Sequence, residues 1–296
     1  MQLITTQVTA PLAASVGEIL GVPPPIALNT EVFSNGQLKV CGPPDILFES
    51  KVALFQSFPD RVHDRLFELL LALDLLRARG AQQITAVLPY LPYSRSDRPA
   101  MQEGPVPVRL VASLLEQAGL ARLVTLELHA PQLCGIFRGP VTNIEFAPAL
   151  ARYLTPLPGD VVVVSPDFGG AKRAEQLAAT LNCPVGIMRK HRHNKTTHSE
   201  DVLGDVSGRA VILIDDEINS GRTVFSAAAR LKACGATGIC LAVAHSLFTP
   251  EAAATWQNSS IDRIIVADSI GRREYLPAGV ETVSISEEIA SVMRLG

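Results

Sequence analysis

The chain has 296 residues, 47% of them apolar and 19% charged, with a formal net charge of −3. That is ordinary globular composition, long enough for two α/β domains, and its charge sets up no whole-protein field for nucleic acid. No apolar run reaches 18 residues, the first residues lack a basic-then-apolar leader, and the five cysteines (41, 134, 183, 234, 240) are odd in number without a C-x-x-C pair; the expectation is a reduced, cytoplasmic protein that makes no use of a membrane.

Gln2 to Thr6 reads as an opening strand and Thr9 to Leu20 as a helix, stopped by Pro23-Pro24-Pro25. Residues 31–40, E-V-F-S-N-G-Q-L-K-V, set Ser34-Asn35-Gly36 between apolar alternations, which predicts a hairpin turn. Val52 to Phe55 is a short strand. His63 to Arg79 crowds leucines along one side of a helix that Gly80 ends. Ile84 to Leu88 is a strand opening onto P-Y-L-P-Y-S-R-S-D-R (89–98), whose prolines and tyrosines predict a shaped loop. There Arg95 and Arg98 bracket Asp97, and by themselves they read as a solvated charged loop. Val108 to Gly119 is a helix, and Arg122 to Leu128 a strand ending at His129-Ala130, where a lone histidine is most simply structural.

Gly139 to Thr155 leads into the second half, with a short helix over 148–153. V-V-V-V-S is a buried strand that ends in S-P-D-F-G-G (165–170). Asp167 reads as a helix N-cap, and the glycine pair permits close backbone approach to a ligand. Lys172 to Leu181 is a helix and Val185 to Met188 a strand. R-K-H-R-H-N-K-T-T-H (189–198) is then expected as a flexible basic loop able to close over phosphates. A metal site from His191, His193 and His198 lacks the helical placement and orienting carboxylates of such sites.

The most informative stretch is 210–224, A-V-I-L-I-D-D-E-I-N-S-G-R-T-V. A β-branched apolar run, the signature of a central parallel strand, meets two carboxylates, Asp215 and Asp216. A polar turn, Asn219-Ser220-Gly221, and the start of a helix follow. Open α/β sheets bind ligands beyond the carboxyl ends of their strands, and the first N–H groups of a helix form an anion site. The arrangement suits a sugar phosphate, and it suits plain capping chemistry as well. Gly238 to Ala244 and Ile264 to Ala267 are further strands, and Val283 to Leu295 closes the chain as a short strand and helix.

The 210–224 stretch resembles the phosphoribosyl-diphosphate (PRPP) binding loop of type I phosphoribosyltransferases and PRPP synthetases. Their pattern is an apolar strand, Asp-Asp, two residues, an acid, Thr, two small residues and Thr. Asp215, Asp216, Ser220, Gly221 and Thr223 fit; Asn219 replaces an Asp and Arg222 a small residue. Phe33-Ser34-Asn35-Gly36-Gln37 is similar to the Phe-Ser-Asp-Gly-Glu loop of PRPP synthetases, with amides for both carboxylates. Residues 89–98 are similar to their Pro-Tyr-x-x-Tyr-x-Arg-x-Asp-Arg segment, Glu127-Leu128-His129-Ala130 to Asp-Leu-His-Ala, and 165–170 to Ser-Pro-Asp-x-Gly-Gly. Lys190 and Arg192 have the spacing of that family's catalytic Lys and Arg.

The resemblance implies an α/β protein of two tandem type I phosphoribosyltransferase-like domains, 1–145 and 146–296, each a mostly parallel sheet flanked by helices. The last helix would be able to pack back on the first domain. Phe33, Asn35, Gln37, Arg95, Asp97 and Arg98 would bind ATP. His129 and Asp167 would place Mg2+, and Lys190 with Arg192 would stabilise the transition state. Asp215 and Asp216 would hold ribose hydroxyls, and Asn219, Ser220, Gly221, Arg222 and Thr223 the 5-phosphate of ribose 5-phosphate. A homo-oligomer is implied, because the 31–37 loop of the family completes a neighbour's site. The implied reaction transfers the β,γ-diphosphoryl group of ATP to the 1-hydroxyl of ribose 5-phosphate, giving PRPP and AMP for nucleotide biosynthesis. Two other readings stay open: a non-catalytic regulatory homologue, motivated by Asn35, Gln37, Asn219 and Arg222, and a phosphoribosyltransferase that consumes PRPP.

Overall fold

The computed structural model describes residues 1–296 apart from 45, 100–103, 158, 195–196, 272–275 and 296, and leaves the side chains of 190–200 undescribed. The chain divides into two compact units: Met1–Ile144 with Ser269–Arg273 and Ile285–Gly296, and Glu145–Asp268 with Glu274–Ser284.

The first unit runs β1 (Gln2–Thr5), α1 (Ala10–Leu20), β2 (Ile26–Ala27), β3 (Asn29–Val32), β4 (Leu38–Cys41), β5 (Lys51–Phe55), α2 (Val62–Ala78), β6 (Gln83–Val87), α3 (Pro107–Ala118), β7 (Leu120–Leu126) and β8 (Val141–Ile144). Among the described residues, six strands pair in parallel in the order β2-β1-β5-β6-β7-β8, while β3 and β4 form a separate antiparallel hairpin. Side-chain alternation divides the sheet's two faces. Ile4, Val52, Leu54, Ile84 and Ala86 share a core with Leu69 and Leu73 of α2 and Val111 and Leu115 of α3. Leu3 meets α1 at Gly17. Pro107 starts α3, and Gly119 ends it in the left-handed conformation at φ 118°.

The second unit runs α4 (Ala147–Leu154), β9 (Val161–Ser165), α5 (Ala171–Leu181), β10 (Val185–Asn194), β11 (Thr197–Leu203), β12 (Ala210–Ile218), α6 (Arg222–Ala233), β13 (Gly238–Ser246), α7 (Pro250–Trp256), β14 (Arg263–Ala267) and β15 (Glu281–Val283). Its sheet order is β11-β10-β9-β12-β13-β14-β15, parallel except for the β10–β11 pair. Val162, Val164, Val211, Leu213 and Leu241 pack under Ala227, Ala228 and Leu231 of α6. β9 is buried along its whole length, as a valine run in a two-sided parallel sheet should be. The final helix, α8 (Ser286–Arg294), belongs to the first unit, where it packs on α1 and Arg294 Nη2 donates to the Ile19 carbonyl. No helix among the described residues is long and apolar enough to cross a membrane.

Several elements differ from the sequence expectation. The basic stretch continues the β10 strand to Asn194, and β11 pairs with it antiparallel, with Lys190 in register with Glu200 and Arg189 with Asp201. Across the pair, Arg189 Nη2 lies 3.6 Å from Asp201 Oδ2, a favourable cross-strand contact. β7 stops at Leu126, because Glu127 takes a left-handed φ of 44°. β8 and α7 have no counterpart in the expectation; both are short, and Thr249 caps α7 by accepting from the Ala252 N–H at 3.2 Å.

Candidate active site

β12 carries Asp215 and Asp216 inside its last turn of pairing and reaches Ile218 before the chain leaves the sheet. The Asp216 N–H donates to Asp215 Oδ1 and the Glu217 N–H to Asp216 Oδ1, each at 2.9 Å. Asp215 is half-buried and Asp216 buried. Burial, then the adjacent Asp216 carboxylate, push the Asp215 carboxyl up to about 8. The opposing cation is Arg173 of α5, whose Nη1 lies 3.7 Å from Asp215 Oδ1.

Asn219 and Ser220 are exposed, and Gly221 turns the chain into α6 at φ 71°. A Cβ at Gly221 would overlap the Phe225 ring, so both backbone and packing require glycine there. No side chain caps α6. Its first-turn N–H groups have no intrahelical acceptor and carry the positive end of the helix dipole. Arg222 and Thr223 occupy the first two helical positions, Arg222 exposed and Thr223 half-buried.

Asp167 follows the adjacent strand, β9. It is exposed, and its Oδ1 accepts from the Gly170 N–H at 3.2 Å. Ser165 Oγ donates to the Asp167 carbonyl at 2.6 Å, which fixes the turn. A Cβ at Gly170 would stand 2.6 Å from Ser165 Oγ and 3.3 Å from Arg173 Nη1. The glycine therefore lets Arg173 fold back toward the Asp pair. Asp215, Asp216, 219–223, Asp167 and Arg173 thus all lie at the carboxyl ends of two neighbouring strands. Arg173 and Phe225 escaped the sequence reading; a cation one turn beyond a glycine pair was the available signal for the first. Lys190 and Arg192 have backbone positions in β10, and their side chains lie outside the described residues.

The nucleotide candidates occupy the first unit. At the tip of the β3–β4 hairpin the Phe33 N–H donates to the Gln37 carbonyl and the Gly36 N–H to the Phe33 carbonyl, both at 2.8 Å. Asn35 Oδ1 accepts from the Gln37 N–H at 3.1 Å, so the asparagine shapes the turn. The tip is exposed throughout, and Phe33 keeps 48% of its surface. Residues 89–98 leave β6 as a loop, with Tyr93 at φ 66° and its ring 6.2 Å from that of His63. Arg95 is exposed, and Arg98, also exposed, lies 3.8 Å from the half-buried Asp97. His129 is exposed beside the buried Leu128, whose N–H donates to Asn143 Oδ1 of β8 at 2.9 Å. The unforeseen β8 strand therefore anchors the histidine turn. Among the described residues no group of three or more His, Cys, Asp or Glu forms a ready cation site.

The chain is similar to known proteins along its length. Residues 1–119 match the family described as the N-terminal domain of ribose phosphate pyrophosphokinase, and residues 190–295 the phosphoribosyl synthetase-associated domain. Ribose-phosphate pyrophosphokinase 1 of Streptococcus agalactiae is 36% identical over 294 residues, 95% of this chain and 89% of that protein. The putative ribose-phosphate pyrophosphokinase 2 of Streptococcus pneumoniae is 35% identical over 297 residues, 99% of this chain and 92% of its own. The crystal structure of phosphoribosylpyrophosphate synthetase from Mycobacterium smegmatis superimposes with a TM-score of 0.89 at 30% identity, covering 99% of this chain and 98% of that one. With both sheets and their connecting segments matched from end to end, the chain belongs to the ribose-phosphate pyrophosphokinase family.

Proposed function

We propose that the chain is a ribose-phosphate diphosphokinase that transfers the β,γ-diphosphoryl group of ATP to the 1-hydroxyl of ribose 5-phosphate, releasing AMP and PRPP. The new bond joins the ribose 1-oxygen to the β-phosphorus; the bond from that phosphorus to the α,β-bridging oxygen breaks, and the hydroxyl proton leaves to solvent. The observation that carries the reading is the Asp215–Asp216 pair beside the uncapped start of α6. The amides of 221–223 receive the 5-phosphate and the carboxylates take ribose hydroxyls. Arg173 keeps negative charge available on the pair. Phe33, Asn35, Gln37, Arg95, Asp97 and Arg98 bind ATP, with guanidinium donors suited to its phosphates. Lys190 and Arg192 neutralise charge on the transferring group.

The residues present fit magnesium. Asp167 is an exposed carboxylate with one oxygen engaged by the Gly170 N–H, and Mg2+ usually takes one or two protein carboxylates with waters and substrate phosphates. His129, exposed on the first unit, would offer a further magnesium ligand. When bound, the ion neutralises charge on the triphosphate. The hairpin tip, exposed at every residue from Glu31 to Gln37, suits a homo-oligomer in which it reaches a neighbour's nucleotide. A cytoplasmic site of action follows from the chemistry of its substrates.

The test is AMP release from purified protein with Mg2+, ATP and ribose 5-phosphate. Wild type should turn over. Lys190→Ala and Arg192→Ala should each lose about 10²–10³-fold in turnover while ribose 5-phosphate still binds. No AMP from wild type would instead favour a non-catalytic homologue.

A further inference from the structure

An isolated two-stranded hairpin is marginal in water, and β3–β4 pairs with no third strand among the described residues. Something else must hold it. β4 packs on α2, and after β4 the Pro43 carbonyl accepts from Arg79 Nη1, just past the end of that helix, at 2.8 Å. The other strand is held by a buried charge. Glu68 of α2 is 3% exposed. Its Oε1 accepts from the Thr30 hydroxyl of β3; its Oε2 accepts from Gln56 Nε2 at 2.8 Å and Arg65 Nη1 at 3.1 Å. Gln56, which follows β5, accepts in turn from the Thr6 hydroxyl at 2.7 Å and the Ser57 N–H at 2.9 Å. The carboxylate thus ties the hairpin root to segments following two central strands.

A buried carboxylate is costly unless its lone pairs are satisfied, and a leucine would fill the same space without that demand. What the charge adds is direction: it holds the Thr30 hydroxyl at one place on α2. Thr30 stands three residues before Phe33. A lateral slip of the root would be carried to the tip, where the side chains are exposed and nothing described recaptures them.

We infer that Glu68 is a positioning residue for nucleotide binding, acting through Thr30 to aim the β3–β4 hairpin. The inference rests on the reading that residues 33–37 contact ATP, and the experiment separates the two. Full-length wild type, Thr30→Val, Thr30→Ser and Phe33→Ala are titrated with a non-hydrolysable ATP analogue and, separately, with ribose 5-phosphate; steady-state KM for both substrates is measured alongside. Thr30→Val removes the hydroxyl at nearly constant shape. It should weaken the analogue and raise the KM for ATP by about three- to tenfold, the scale of one ordinary hydrogen bond, with ribose 5-phosphate binding and kcat within twofold of wild type. Thr30→Ser restores the donor and should restore ATP affinity. Phe33→Ala should weaken ATP whatever the state of the root. If Phe33→Ala weakens ATP and Thr30→Val does not, the positioning role is wrong and the hairpin reading stands. If Phe33→Ala changes nothing, the hairpin does not contact ATP and the inference falls with that reading. Equal weakening of both substrates by Thr30→Val would mark a general loss of structure and also overturn it.

Discussion

Asp215 and Glu281 sit at opposite ends of one parallel sheet, and the protein treats their charges in opposite ways. Glu281 opens β15 at the amino end. Arg263, the first residue of β14, grips it with two bonds of 2.8 and 2.7 Å, and the Tyr153 hydroxyl adds a third at 2.6 Å. The Arg263 and Tyr153 bonds hold Glu281 down at about 2. At the carboxyl end, burial and Asp216 push Asp215 up to about 8, with one guanidinium 3.7 Å away in opposition. A completed ion pair is structural and asks for nothing more. The carboxylate pair at the end of β12, beside the first amides of α6, is where the proposed function places a ligand's hydroxyls and phosphate. The same contrast separates the units. Asp215, Asp216 and Gly221 are buried or half-buried in the second unit, while Phe33, Arg95, Arg98 and His129 of the first stand exposed.

The harshest way to break this contrast is Gly221→Ala. The added methyl overlaps Phe225 and the residue keeps a φ near 71°, so overpacking of about 1–3 kcal/mol and backbone strain of about 1 kcal/mol should both appear. Thermal unfolding should fall by several degrees, and ribose 5-phosphate binding by titration should drop at least tenfold. An unchanged melt with full affinity would remove glycine from the account. Asp215→Asn sharpens the comparison by separating stability from function. Folding raises the Asp215 pKa from 3.8 to about 8, so its favourable contribution is fully present below about pH 4 and is lost as pH rises through 8. The ligand-free variant should therefore gain in Tm over wild type progressively between pH 4 and 8, with ribose 5-phosphate binding about tenfold weaker. A Tm difference independent of pH would contradict the assigned burial.

Phe33→Ala tests the exposed side. Base stacking on an aromatic ring is worth about 1–3 kcal/mol, so affinity for ATP should fall about tenfold, with no change in Tm because the ring is half exposed already. Glu281→Gln should have the smallest effect. Folding depresses this carboxyl from 4.5 to about 2, so its stabilisation is present above pH 4.5 and lost as pH falls through 2. Because the pair is partly solvated, a drop in Tm of only a degree or two is expected at pH 7, vanishing toward pH 2. Ribose 5-phosphate affinity should not move.

Much of this was legible in the chain itself. V-V-V-V-S and A-V-I-L-I announce central parallel strands because burial on both faces removes the need for alternation. Ser34-Asn35-Gly36 announced the hairpin because few other triplets turn so tightly, and the Asp pair before a glycine turn marked the end of a central strand. What could not be read depends on neighbours distant in sequence. Arg173 matters through Asp215, 42 positions on, and Glu68 through Thr30 and Gln56. β8 is four residues long and is made a strand by pairing with β7. The basic stretch 189–198 looked like a loop because cations are poor strand formers alone; its antiparallel pairing with β11 depends on the partner strand.

The most direct measurement compares two ligands differing only in the phosphate. Ribose 5-phosphate and ribose are titrated calorimetrically into full-length protein with Mg2+ and without ATP. A sub-millimolar Kd for ribose 5-phosphate and no detectable heat from ribose is the predicted result. Silence from both across several temperatures, or equal affinity for the two sugars, would contradict a phosphate cradle at the tip of β12.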